Sequence, residues 1–123
     1  YGEKPVFSLP GNPVSSLLVF DQLVRPALLR MMGHENVTRP LFTARLAAPL
    51  PKKPGRTFFV RVRLFRQDGC LFAVSAGDQN TGILKTLIDA NAVAVLPEEK
   101  GPLAAGDEVQ VYLLEDRDYG LFV

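Results

Sequence analysis

Residues 56–75 read RTFFVRVRLFRQDGCLFAVS, and this stretch decides the fold. Phe58, Val60, Val62 and Leu64 alternate with Thr57, Phe59, Arg61 and Arg63, the period-two pattern of a strand with one buried face. Asp68-Gly69 is a two-residue turn signal, because both central positions of a tight hairpin need a left-handed backbone. A second strand is therefore expected over Cys70 to Ser75. Cys70 is expected to face inward as a small apolar residue.

The same texture extends in both directions. Phe42 to Ala48 reads as a strand bounded by Pro40 and by Pro49, Pro51 and Pro54. Gly77 to Thr81 reads as a polar loop that leads into a short helix, Gly82 to Ala90. Val93 to Leu96 and Glu108 to Leu114 read as strands, with turns at Gly101-Pro102 and Gly106-Asp107, and Tyr119 to Val123 as a short edge strand or a disordered tail. Short strands separated by regular turn signals, with one inserted helix, predict a mainly β fold, a small antiparallel barrel or sandwich.

The first third differs. Lys4 to Leu9 reads as a short strand, followed by a long helix from Pro13 to Met32 in which Val14, Leu17, Leu18, Val24, Leu28 and Met31 recur at helical spacing and Gly33 is the stop. Pro26 removes a hydrogen bond to the carbonyl of Gln22, so a kink or break is expected near Leu23 to Arg25. The expected boundary divides residues 1–34 from residues 35–123.

Between strand and helix lies Leu9-Pro10-Gly11-Asn12-Pro13-Val14-Ser15-Ser16. Gly11 suits a tight turn, Asn12 an N-cap accepting from a first-turn amide, and Pro13 the first helical position. The amides of Val14, Ser15 and Ser16, with two hydroxyls and the positive end of the helix dipole, would accept a phosphate, a carboxylate or another oxyanion. An ordinary cap that binds nothing has the same residues. Thr81 and Gly82 offer a second helix start of the same kind. Arg56 and Arg61 are candidate bidentate anion donors, with solvated residues on the polar face of a strand as the alternative.

The composition narrows the choices. The chain has 123 residues, 47% of them hydrophobic, and a formal net charge of +1, enough for one modest core and a poor match to nonspecific nucleic-acid or membrane binding. One cysteine and one histidine leave no internal disulfide and no conventional zinc cluster; His34 is expected on a solvated turn. No apolar run is long enough to span a bilayer and the start is not a leader sequence, so the expected location is cytoplasmic. An opening Tyr1-Gly2 suggests a piece of a larger protein.

Four segments carry a family resemblance. The run 9–33, LPGNPVSSLLVFDQLVRPALLRMMG, resembles the PGNPVS segment of the molybdopterin molybdenumtransferases of the MoeA and gephyrin type. Residues 55–61, GRTFFVR, resemble the GR..F.R strand of their C-terminal domain. Residues 79–91, QNTGILKTLIDAN, resemble its QGSG.L.SL..AN segment, with Asn80 in place of a glycine and Thr81 in place of a serine, and the ending LAAGDEV at 103–109 agrees as well. The resemblance implies the last strand and helix of a MogA-like third domain over 1–34, joined to a β-barrel-like fourth domain over 35–123. It implies insertion of molybdate into adenylylated molybdopterin, a magnesium requirement, and a homodimer whose cleft draws on several domains, so that this chain is inactive alone. Pro10, Gly11, Asn12, Pro13, Ser15, Arg56, Arg61, Thr81 and Gly82 would then be binding residues for the pterin substrate and molybdate, with no catalytic residue assigned.

Two other classes remain open. A protein-docking module like that of gephyrin is suggested by Phe59 and Phe65 on the nominally polar side of their strand, and an OB-like single-strand binder by Arg61 and Arg63 beside aromatic residues, which the near-neutral charge opposes.

Overall fold

In a computed structural model, which describes residues 2–80 and 84–114, the alternating stretch is the longest strand and the centre of the sheet. Five strands form among the described residues: β1 (Phe42–Leu46), β2 (Phe58–Gln67), β3 (Cys70–Ser75), β4 (Ala92–Leu96) and β5 (Glu108–Leu113). They close into a barrel in the order β1-β3-β2-β4-β5, with β5 returning to β1. Four pairings are antiparallel and one, β1 with β3, is parallel. The parallel pair arises because the β2–β3 hairpin folds β3 into the gap beside β1, with β2 and its leading loop serving as the long crossover that parallel strands require.

The hairpin is as the sequence dictates. Gln67 pairs with Cys70 across Asp68 and Gly69, whose φ angles are 50° and 77°, the left-handed pair of a turn that matches strand twist. Cys70 does not face inward. It is exposed at the hairpin tip, where the outer row of β3 begins.

Inside the barrel the alternation holds strand by strand. Ala44 and Leu46, then Val60, Val62 and Leu64, then Ala73, then Ala92, Ala94 and Leu96, then Val109 and Val111 form one core, capped at one end by Leu50 and Leu103, whose backbones make an isolated bridge. Small alanines stand opposite branched residues across the ladders, Ala94 facing Val60 and Val111 and Ala73 facing Leu64, as filling a narrow barrel requires. Outside the barrel, one row is also withdrawn from water: Arg61 pairs with Val93 and Val93 with Tyr112, and all three are buried. Thus the outer side of β2 is not uniformly solvated, contrary to the simple alternation.

The helix α3 covers Lys85–Asp89, a shorter span than the expected 82–90; residues 81–83 and the expected tail strand at 119–123 lie outside the described residues. The chain divides into two compact units, the first taking the residues through Thr38 together with Asn80 and Leu84, and the second holding the barrel, Arg39–Gln79 and the residues from Lys85 onward.

In the first unit, Lys4 to Leu9 forms no strand. Val6 is 73% exposed, and no described strand pairs with the segment, so its backbone has no ladder to join. The long helix is present in three pieces: α1 (Pro13–Val19), a π-helical turn over Phe20–Val24, and α2 (Arg25–Met31). The expected distortion falls on that turn. Pro26 cannot donate to Gln22, and the amide of Arg25 reaches back five residues to the carbonyl of Phe20, a π bulge of the sort that absorbs a lost rung. The helix closes at Gly33, φ 90°; its amide bonds Arg30 O and the amide of His34 bonds Leu29 O, both at 3.0 Å, the paired Schellman arrangement.

Leu46, 1% exposed in the barrel core, sits on the strand that joins the first and last neighbours of the closed sheet. Leu46→Ala is expected to lower unfolding free energy by about 2–5 kcal/mol, measured by urea denaturation; a loss under about 1 kcal/mol would mean that the barrel is not packed as described.

Candidate anion site

Arg56 stands where the connection from β1 turns into β2. Gly55 precedes it with φ 107°, a backbone that a side chain would strain, and the Gly55 amide donates to Glu98 O at 2.8 Å. Three residues earlier, Lys52 is 4% exposed. Its ammonium donates to Lys100 O at 2.6 Å and to Lys53 O at 3.3 Å, and stands 5.2 Å from the centre of the Phe58 ring, within cation–π range. The loop that carries Arg56 is therefore tied to the turn after β4 by a lysine and a glycine amide. Arg56 itself is exposed.

Arg61 has the opposite surroundings. It is 2% exposed, so neither the solvated-face reading nor an open ligand position describes it. Its Nε donates to Thr86 Oγ1 at 3.2 Å and one terminal nitrogen to Asp78 O at 3.4 Å. Burial pushes the guanidinium below its usual pKa, and the nearby Asp78 carboxylate opposes that fall. Arg61 thus joins α3 and the loop before it to the outer face of β2. Arg56 and Arg61 do not share a hydrogen-bond cluster; one is presented outward and the other is held within the fold.

The segment from Gln79 to Asn91 is fastened at both ends by side-chain amides. Gln79 Oε1 accepts from Arg61 N at 2.9 Å while Nε2 donates to Arg61 O at 3.1 Å. Asn91 Oδ1 accepts from Leu64 N at 2.7 Å while Nδ2 donates to Leu64 O at 3.0 Å. Each amide replaces a strand residue at the point where β3 or β4 leaves β2, since those ladders end at the pairs Val62–Ser75 and Val62–Ala92. No periodic pattern marks such residues, and the sequence reading gave Gln79, Asn91 and Lys52 no role. Their only signal was that two of them begin and end the QNTGILKTLIDAN run.

The remaining expected site residues divide as follows. Pro10 to Ser15 belongs to the first unit. Asn12 is the N-cap, with Pro13 at the first helical position, but the Asn12 side chain makes no capping bond; its carbonyl accepts from Ser16 N at 2.8 Å. Gly11 does not adopt a left-handed backbone, so the turn there does not depend on glycine. Thr81 and Gly82 lie outside the described residues. Phe59 is 36% exposed, whereas Phe65 stacks on Phe72 with centroids 5.7 Å apart, which explains its place on the outer row without a partner. Among the described residues no three acidic, histidine or cysteine side chains gather as a metal site, and no step is assigned to magnesium. Nor is any described helix long and apolar enough to cross a membrane.

Comparison with known proteins agrees with this architecture. The family model for the MoeA C-terminal region (domain IV) matches residues 43–114. The chain belongs to that family. Molybdopterin molybdenumtransferase 2 of Mycobacterium tuberculosis is 37% identical over 108 residues, covering 88% of this chain and 26% of that protein; gephyrin of Dictyostelium discoideum is 32% identical, covering 89% and 16%. Solved structures of the molybdopterin biosynthesis MoeA protein from Pyrococcus horikoshii superpose with a TM-score of 0.72 at 35% identity, covering 93% of this chain and 27% of that one, and of 0.69 at 30% identity, covering 84% and 26%. This MoeA C-terminal domain chain spans about a quarter of the length of the molybdenumtransferases it matches. The match begins at Thr43 and ends at Leu114, so β1 through β5 fall within it apart from Phe42.

The clamp makes a stability prediction. Asn91→Ala leaves both backbone groups of Leu64 without their partners and is expected to cost about 1–3 kcal/mol, read by urea denaturation. Equal stability of variant and parent within about 0.5 kcal/mol would show that the amide does not replace a rung.

Proposed function

We propose that this chain is the C-terminal part of a molybdopterin molybdenumtransferase that inserts molybdate into adenylylated molybdopterin in the cytoplasm, and that it needs the rest of that protein for turnover. The observation that carries the reading is Arg56: an exposed guanidinium on a tied-down loop, inside the GR..F.R stretch of a chain that belongs to the MoeA C-terminal family. A guanidinium unclaimed by any described residue offers two parallel donors to a phosphate or a molybdate oxygen. Both substrates are anions, so positive charge on the wall of the cleft favours their approach and holds them while other groups react.

In this reading Pro10, Gly11, Asn12, Pro13 and Ser15 bind the pterin phosphate and molybdate. Thr81 and Gly82 supply a hydroxyl and an amide. Arg61 supports the site from inside the fold, because its donors are already turned to Thr86 and Asp78. Homodimerisation completes the cleft, and magnesium, where the full enzyme uses it, draws its ligands from other parts of the protein. Each residue here binds or orients; none is given a proton-transfer or nucleophilic role.

The test is steady-state kinetics on the full-length protein that carries this chain, with adenylylated molybdopterin and molybdate as substrates. Arg56→Ala is expected to raise KM about ten- to hundredfold, the worth of a charged bidentate contact, while the isolated chain shows no turnover. Turnover by the isolated chain, or an unchanged KM in Arg56→Ala, would overturn the respective part of the proposal.

A further inference from the structure

Lys52 is the charged side chain of the β1–β2 connection that the fold withdraws from water. It is 4% exposed, in contrast to its neighbours Lys53 and Arg56 on the surface. Its partners are neutral: the carbonyl oxygens of Lys100 and Lys53 and the ring of Phe58. Burying an ammonium without a counter-ion is unfavourable unless its protons are well matched by dipoles, and a methionine of similar length would fill the same space without that penalty. What the ammonium adds is a directed bond across two loops that the strand ladder does not join.

That bond acts on one place. The short contact to Lys100 O, the Gly55 amide on Glu98 O at 2.8 Å and the Leu50–Leu103 bridge fasten residues 50–55 to residues 98–103. Arg56 follows directly, before β2 begins at Phe58. Its backbone thus lies between two fixed points while its side chain remains exposed. An anion ligand on a loose loop would lose that freedom on binding; one held in place beforehand loses less.

We propose that Lys52 is a positioning residue that holds the Arg56 loop in its anion-binding arrangement without touching the substrate. The proposal rests on the reading of Arg56 as the anion ligand. Lys52→Met removes the bond and keeps the stem, whereas Lys52→Arg keeps a charged donor.

Two measurements test it. In this chain, amide hydrogen exchange should speed up at Gly55 in Lys52→Met by about tenfold or more, with the amides of β5 unchanged and Lys52→Arg closer to the parent. In the full-length protein, Lys52→Met should raise KM for adenylylated molybdopterin about fivefold with kcat nearly kept, yet add less than about twofold once Arg56 is alanine, because a residue that acts through another is silent without it. Slow Gly55 exchange in Lys52→Met would overturn the tie. Full multiplication of the two KM effects, or a lowered melting temperature with no KM change, would overturn the positioning role. Failure of the underlying reading looks different: Arg56→Ala alone then leaves KM untouched, or the unaltered protein has no turnover.

Discussion

A strand that outruns its neighbours must still satisfy its backbone, and the arrangement of this domain follows from that constraint on β2. β3 covers β2 from Val62 to Gln67, and β4 covers it from Phe58 to Val62 on the other side. Where each ladder stops, a primary amide takes over, Gln79 at Arg61 and Asn91 at Leu64. Because an amide side chain presents one donor and one acceptor at backbone-like spacing, it can stand in for a strand residue while its own main chain leaves the sheet. The departure of the chain into α3 and its return to β4 become compatible with a closed barrel. Without these substitutes the middle of the longest strand would carry unpaired groups, each costing about as much as a lost hydrogen bond.

Among the described residues two cations are buried in the barrel unit, and each is matched in the same way. Arg61 gives its protons to a hydroxyl and a carbonyl, with Asp78 close enough to favour its charge. Lys52 gives its protons to two carbonyls over an aromatic face. Directed neutral acceptors let a charge serve as a long-reach fastener between segments that share no ladder. Arg61 joins β2 to α3, and Lys52 joins the loop before β2 to the turn after β4. Seen in this way, the residues between Gly55 and Arg61 lie between two fasteners, one at each end.

Much of this was legible in the sequence and some was not, for reasons that differ by residue. The Asp68-Gly69 turn and the inward set Val60, Val62 and Leu64 were legible because period and turn chemistry are local. Pro26 and Gly33 announced a kink and a stop for the same reason, though not the π bulge and the Schellman geometry in which they are realised. Arg61 was misplaced because alternation assigns a face but not what covers it; the burial of Arg61, Val93 and Tyr112 on the outer row comes from tertiary structure, including a threonine twenty-five positions away. Cys70 was misplaced by treating cysteine as apolar at a hairpin tip. The expected strand at Lys4 to Leu9 failed because a strand is a property of a pair. At the candidate site Arg56 was legible as a candidate donor, while the lysine beneath it was not, since nothing in a run of prolines and lysines tells a buried ammonium from a solvated one.

The contrast between the two arginines also bears on which of them can recruit an anion. A guanidinium already bonded to Thr86 and Asp78 would have to give up those bonds and expose its acceptors before taking a ligand, so the net gain would be small. Arg56 has no hydrogen-bond or ion-pair partner among the described residues, and only water is displaced when an anion arrives. Free rotation normally reduces the benefit of such a residue, because its long side chain and its loop are both ordered on binding. On the proposed reading, fixing the backbone through Gly55 and Lys52 removes the loop's part of that loss and leaves the side chain's part to be met on binding. On that same reading, a domain that keeps one guanidinium inside as a fastener and presents another on a tied loop separates holding the fold from holding the ligand.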